Sequence, residues 1–222
     1  MSVTIKAVLF DIDGTLVDSN DFHVEAWAEA FRSVGADFSW QVIHDQIGKG
    51  TDMLVPTLLP GADEAEQERL GDAHGSAFKD KCLDRVVAFP GARDLLLRVH
   101  AAGTKVVLAS SASKEELDHY IDLLDVRGIV AETTTADDVE KTKPAPDIFQ
   151  TALRKARITA DEAMVVGDTP YDIEAAAKCG MCAVGLLSGK YTDEALRGRG
   201  AIAVYEDVAA LLAAFDASPL VK

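Results

Sequence analysis

Ala7-Val8-Leu9-Phe10-Asp11-Ile12-Asp13-Gly14-Thr15 decides the reading of this chain. Four apolar residues that end abruptly in two acids and a glycine describe a buried strand stopping at a polar site. Asp11 and Asp13 lie two apart, so with strand geometry continued both carboxylates leave on one face. Adjacent anions repel, and a fold tolerates them mainly where a cation or a shared proton compensates. The stretch therefore points to a metal-assisted site with an aspartate nucleophile or a paired acid and base. The bland alternative is a strand-terminal turn, where Asp and Gly are common.

Three further segments have the same character. Ser110 closes the apolar run Val106-Val107-Leu108-Ala109 and leads into Ser111-Ala112-Ser113. Hydroxyls and amides ahead of a helix N-terminus form a natural phosphate cradle. Ser113, with Glu116 three residues on, is a capping box, which accounts for Ser113 without chemistry. Lys143 precedes Pro144, which restrains its backbone toward extended conformations, and a lysine there can steady a nucleophile and neutralise phosphoryl oxygens. Gly167-Asp168 follows Met164-Val165-Val166, a further strand end. Thr169 can cap the next helix with Pro170 at its first position. Asp172 then either completes that cap or partners a metal.

Between these segments the pattern changes character. Phe22, Ala26, Ala30 and Val34 recur at helical spacing, Trp27 and Phe31 widen the stripe, and Gly35 is a natural stop. Residues 40–47, 52–59 and 63–83 read as further helices, with no convincing strand among them. After Phe89-Pro90-Gly91, strands are expected at 105–109, 129–133, 164–166, 182–185 and 201–205. Helices are expected at 114–124, 147–156, 171–179 and 207–215. Such alternation implies parallel βαβ units in an α/β, doubly wound sheet. In such sheets ligands bind beyond the carboxyl ends of the strands, where all four segments sit.

The composition narrows the partners. With 222 residues and a formal net charge of −15, the chain lacks the basic surface that nucleic acid or an anionic membrane needs. No apolar span reaches membrane length, and Met1 to Asp13 holds no signal-peptide core, so a cytoplasmic location is expected. Three cysteines argue against a disulfide framework. Cys179-Gly180-Met181-Cys182 has the CxxC form but closes a helix and enters a strand, so its cysteines are expected to be small buried side chains. Gly48-Lys49-Gly50-Thr51 is not a nucleotide P-loop: Ile43 stands where the first glycine should be, and no strand precedes it.

Taken in order, the four segments resemble the haloacid dehalogenase superfamily of hydrolases, in its phosphoglycolate phosphatase and β-phosphoglucomutase-like subgroup. The resemblance covers almost the whole chain, least firmly between Val17 and Ala88. It implies a Rossmann-like core, residues 1–17 and 89–222, interrupted by an inserted all-helical cap, residues 18–88. It implies Asp11 as nucleophile, forming an aspartyl phosphate, and Asp13 as acid and then base. Ser110, Ser111 and Lys143 would hold the phosphate. Lys49, in a glycine-rich cap loop facing the core, and His23, at a position often His in β-phosphoglucomutase relatives, would touch the substrate.

Asp11, Asp13, Asp168 and Asp172 are the implied metal residues. Set against Lys143 alone they carry excess negative charge, which one Mg²⁺ and a protonated Asp13 would neutralise. Asp13 also argues against dehalogenase or phosphonatase chemistry, since those relatives lack the second acid. Gly167-Asp168 in place of a Glu-Asp pair, and Lys49 in place of an arginine, favour hydrolysis over phosphoryl shuttling. The leading expectation is a Mg²⁺-dependent phosphatase for a small phosphate ester of phosphoglycolate or sugar phosphate type, acting as a monomer. The alternatives are a phosphosugar mutase and a catalytically silent phosphate-binding module.

Overall fold

The structure, a computed structural model, describes Thr4–Val221. Met1–Val3 and Lys222, which fall within the expected core bounds, lie outside the described residues. β1 (Ala7–Phe10) is fully buried along its whole length. A two-residue strand, β2 (Val17–Asp18), follows it. Four helices come next: α1 (Asn20–Ser33), α2 (Trp40–His44), α3 (Thr51–Leu58) and α4 (Glu64–Lys81). β3 (Val87–Ala88) then pairs antiparallel with β2, Val17 opposite Ala88.

From there strands and helices alternate through α5 (Ala92–Ala101), β4 (Lys105–Ala109), α6 (Lys114–Leu123), β5 (Val130–Thr134) and α7 (Asp147–Ala156). The series ends with β6 (Ala163–Gly167), α8 (Pro170–Lys178), β7 (Cys182–Leu186), α9 (Asp193–Gly198), β8 (Ala201–Tyr205) and α10 (Val208–Ala213). Six strands form one sheet in the order β5-β4-β1-β6-β7-β8, and every neighbouring pair is parallel. This is the doubly wound α/β architecture that the alternation implied.

The run Ala7–Phe10 is continuously apolar because helices cover both faces of the sheet. Val8 and Phe10 join one core cluster, and Ala7 and Leu9 join the cluster on the opposite face. A third cluster, containing Trp27, Phe31, Ile43, Leu54 and Leu70, lies within α1–α4. The helical insertion thus has its own core, and the chain enters and leaves it through the β2–β3 ribbon. That ribbon was not expected, because two residues are too few to show a strand period. α2 also stops at His44, three residues short of its expected end. α1 ends as expected, with Gly35 at a φ of 80° just past it.

Among the described residues no helix is long and apolar enough to cross a membrane. Cys82, Cys179 and Cys182 carry free thiols. Cys179 is half-buried, and burial pushes its thiol up to about 11, so it is a poor nucleophile. Cys182 is exposed at the start of β7, which corrects the expectation that both members of the pair are buried.

Candidate active site

Several strand ends converge at one edge of the sheet. Phe10 stands level with Leu108 and Val166 in the flanking strands, and Asp11 N donates to Val166 O at 2.9 Å. Asp11 therefore emerges where β4 and β6 also end. It is 4% exposed and lines a cavity of about 750 Å³ between the sheet edge and the helical insertion. Lys143, from the segment between β5 and α7, is 1% exposed. Its Nζ donates to Asp11 Oδ1 and to Ala109 O and lies 2.8 Å from Asp172 Oδ1. Burial alone would favour a neutral amine. The two carboxylates outweigh it and raise the lysine above its ordinary value.

Asp168 is fully buried and accepts hydrogen bonds from Thr15 Oγ1 at 2.8 Å and Asn20 Nδ2 at 3.0 Å. Burial and the neighbouring Asp172 push its carboxyl up to about 7. Burial also raises Asp11 well above the usual carboxylate range, and Lys143 offsets this only in part. Oxygens of Asp11, Asp168 and Asp172 lie within 4.8 Å of one another. Three buried carboxylates served by one ammonium are short of positive charge, and such hard oxygen donors suit Mg²⁺. The residues present fit that ion. Gly14 makes the arrangement possible: its φ is +73°, and a Cβ there would come within 2.2 Å of Asp168 Oδ2.

Asp172 serves as a cap and as a member of this cluster. Its Oδ2 accepts from Thr169 Oγ1 at 2.7 Å and from Thr169 N at 3.0 Å, while its Oδ1 faces Lys143. Both expected capping boxes, Thr169–Asp172 and Ser113–Glu116, are present.

The Asp13 carboxylate is not among the oxygens that lie within 4.8 Å of one another. Other partners hold it. Ser19 Oγ donates to Asp13 Oδ1 at 2.6 Å, Ser110 Oγ donates to Oδ2 at 3.4 Å, and His23 Nε2 lies 3.2 Å from Oδ1. Burial pushes Asp13 up, but the His23 charge and the His23 and Ser19 hydrogen bonds outweigh it and bring it down to about 2. These partners favour the carboxylate form of Asp13. His23 supplies the compensating charge. Burial pulls His23 down, yet Asp13 outweighs that and raises it.

His23 Nδ1 lies 3.2 Å from His74 Nε2, and burial with the His23 charge holds His74 well below the ordinary histidine range. The consistent assignment is a protonated His23 donating to Asp13 and to a neutral His74. Phe78 stacks on His23 at 3.9 Å and Trp27 on His74 at 4.2 Å, which fixes both rings.

The remaining expected residues reach the cavity in different ways. Ser110 is fully buried, and its Oγ accepts from Ala112 N at 3.0 Å. Ser111 lines the cavity and donates to Gly48 O at 3.3 Å, so the glycine-rich loop does face the core. Lys49 lines the cavity too, but its ammonium donates to Gln46 Oε1 at 2.6 Å and lies over the Tyr171 ring.

A family model described as haloacid dehalogenase-like hydrolase matches residues 8–186, a span that begins in β1 and ends with β7. The chain belongs to this family. Among relatives of the hydrolase is a validoxylamine A 7'-phosphate phosphatase from Streptomyces hygroscopicus subsp. limoneus, 28% identical over 82% of this chain and 86% of that protein. Another is a phosphoglycolate phosphatase from Vibrio cholerae serotype O1, 25% identical over 94% of this chain and 96% of that one. A solved hydrolase from Pseudomonas syringae superposes with a TM-score of 0.89 at 33% identity, covering 96% of this chain and 98% of the other.

Several residues of the hydrolase's site carry no motif of their own. Asn20 joins Thr15 in orienting Asp168, Ser19 orients Asp13, and His74 backs His23. Ser19 offered one signal: it stands at the N-cap position of α1, yet its side chain makes no cap bond and goes to Asp13 instead.

Proposed function

We propose that the hydrolase is a Mg²⁺-dependent phosphatase that cleaves a small organic phosphate monoester through an aspartyl phosphate at Asp11. One observation carries this reading: Asp11 opens on the cavity while Lys143 holds it from behind and the Asp13–His23 pair stands beside it. Asp11 attacks phosphorus, and its neighbour Lys143 keeps the attacking carboxylate in one orientation and offsets phosphoryl charge. The Asp13–His23 pair holds one proton between two carboxylate and imidazole atoms 3.2 Å apart. That proton goes by way of Asp13 to the departing ester oxygen, leaving His23 neutral, and Asp13 then takes one from the water that cleaves the aspartyl phosphate, which restores the pair. Asp11, Asp168 and Asp172 would hold the Mg²⁺, which when bound supplies charge neutralisation to the phosphoryl group.

The insertion of residues 18–88 acts in this reading as a cap that keeps bulk water from the site and contacts the leaving group. The partner is a small-molecule phosphate ester, the working form is a monomer, and the free thiols suit a cytoplasmic setting. The test is phosphate release from a panel of small esters, with and without Mg²⁺, by wild type and Asp11→Asn. Metal-dependent release that disappears in a folded Asp11→Asn variant supports the reading. Release that survives either chelation or the substitution removes it.

A further inference from the structure

His44 is a buried imidazole with no part in the chemistry above. It ends α2, is 1% exposed, and neither of its ring nitrogens has a hydrogen-bond partner. A neutral imidazole carries one donor and one acceptor, and leaving both idle in a buried place is costly enough to call for a reason. The surroundings supply one. Trp40, one turn earlier on α2, stacks on the ring at 4.4 Å, and Tyr191, from the segment between β7 and α9, approaches it at 5.4 Å. Tyr191 Oη also donates to His44 O at 3.1 Å, and Tyr171 Oη, at the start of α8, donates to Asp45 O. Lys190 lies over the Trp40 ring at 5.2 Å and 2.6 Å from Asp21 of α1. His44 is therefore enclosed in a seam where the helical insertion is fastened to the chain that follows β6 and β7.

That seam accepts only the neutral ring. The ionisable groups around it are Lys190 and Tyr191 after β7, Tyr171 on α8, Asp21 on α1 and Asp45 beside it in the chain. None of them bonds to the imidazole. Asp21 is taken by Lys190, and Asp45 accepts from Gln41 Nε2 at 2.7 Å. The Trp40 ring, which could steady a cation, already carries Lys190. Burial foremost, and then the Lys190 charge, holds His44 below its ordinary value of 6.5, and Asp45, the Gly189 carbonyl and Asp21 offset this only in part. A protonated ring would bring two donors and a charge into a place that offers neither an acceptor nor a counter-ion.

We propose that His44 is a pH-sensitive catch on the helical insertion: proton uptake by its ring frees the end of α2 from Tyr171 and Tyr191 and lets the insertion part from the segment after β7. The catch holds while the ring is neutral and weakens as pH falls through the histidine range, because the solvated ring of the open form binds the proton that the enclosed ring refuses. Residues 47–50, a few positions further along the chain, line the cavity above Asp11, so release of α2 widens the mouth of that cavity. The catch governs access whatever ester is cleaved and stands apart from the phosphatase reading.

Two amides report the parting, since their bonds cross out of the insertion: Gly50 N donates to Thr142 Oγ1 at 2.8 Å, and Thr142 N to Asp52 Oδ2 at 3.0 Å. The test is hydrogen exchange at these amides, corrected for intrinsic rates, in wild type and His44→Phe. One proton bound by the open form alone raises the opening constant about tenfold between about pH 7.5 and 5.5, so wild-type protection should fall about tenfold over that range. His44→Phe keeps a ring against Trp40 and Tyr191 but has no proton to gain, so its protection should hold to within about twofold. A purely packing role for His44 would change protection by the same factor at every pH. Flat protection in wild type, or an equal fall in His44→Phe, overturns the proposal. If the phenylalanine variant does not fold, His44→Gln makes the same comparison, and a flat wild-type profile is decisive without either variant. No turnover is read, so the result is separate from the fate of the phosphatase reading.

Discussion

The Asp52 carboxylate, at the start of α3, accepts two hydrogen bonds from Thr142, the residue immediately before Lys143. Thr142 N donates to Oδ2 at 3.0 Å and Thr142 Oγ1 to Oδ1 at 2.5 Å, while Gly50 N donates to Thr142 Oγ1 at 2.8 Å. The helical insertion is thereby fastened to the backbone that carries the buried lysine. Asp52→Asn is expected to lower kcat/KM about tenfold, because the loosened loop no longer holds Lys143 in one place. A double-mutant cycle with Thr142→Val should show a coupling above about 0.5 kcal/mol. Additive effects would mean that the contact is incidental.

Lys143 is the sole ammonium beside Asp11 and Asp172 among the described residues. Lys143→Met strands two buried carboxylates, at a cost of roughly 3–5 kcal/mol. Asp11 already sits well above its ordinary value, so without the lysine it protonates more readily as pH falls. The variant should therefore recover stability toward acid pH and lose it toward alkaline pH, in urea titrations without metal. A deficit that is the same across pH would contradict the assignment of Lys143 as their counter-charge.

Magnesium at the proposed site would have a consequence apart from turnover. An ion that binds the native site alone at a hundred times its Kd adds about 2.7 kcal/mol of stability. In a chain of this size that is a rise of roughly 5–10 °C in Tm. The rise should vanish in Asp168→Asn. Equal rises in the two proteins would place the ion elsewhere.

The Asp13–His23 pair sets a pH window for stability. His23 is raised above 6.5, so its contribution is full below that value and is lost as pH climbs through its raised pKa. Asp13 is lowered from 3.8 to about 2, so its contribution is present above 3.8 and disappears as pH falls toward 2. The pair therefore supports the fold most between about pH 4 and 6.5, by about 2 kcal/mol. His23→Asn should flatten the alkaline decline and shrink the acid loss, because Asp13 then titrates nearer its unfolded value. An unchanged alkaline limb would show that His23 is not the titrating group.

Local chemistry was legible in the residues themselves. A four-residue apolar run marked β1, and apolar runs ending in Ser110 and in Gly167-Asp168 marked β4 and β6. Thr169 with Asp172 and Ser113 with Glu116 announced their caps, because partners three residues apart on one helical turn are set by a fixed period. Shorter or more distant relationships left no such mark. The β2–β3 ribbon joins residues on either side of four helices, and its strands are too short to display alternation.

The sequence by itself determined the doubly wound sheet and the strand ends from which Asp11, Ser110 and Asp168 emerge. Periodicity and capping act over one or two turns of chain, and that is all a linear reading needs. Only the tertiary structure decided which partners those groups meet. Asp13 joins His23, and His23 joins His74, 51 residues away. Asp52 reaches Thr142 across 90 residues, and Lys143 reaches Asp11 across 132. Such contacts depend on how distant segments of the insertion and the core pack, and packing between distant segments has no period in the sequence.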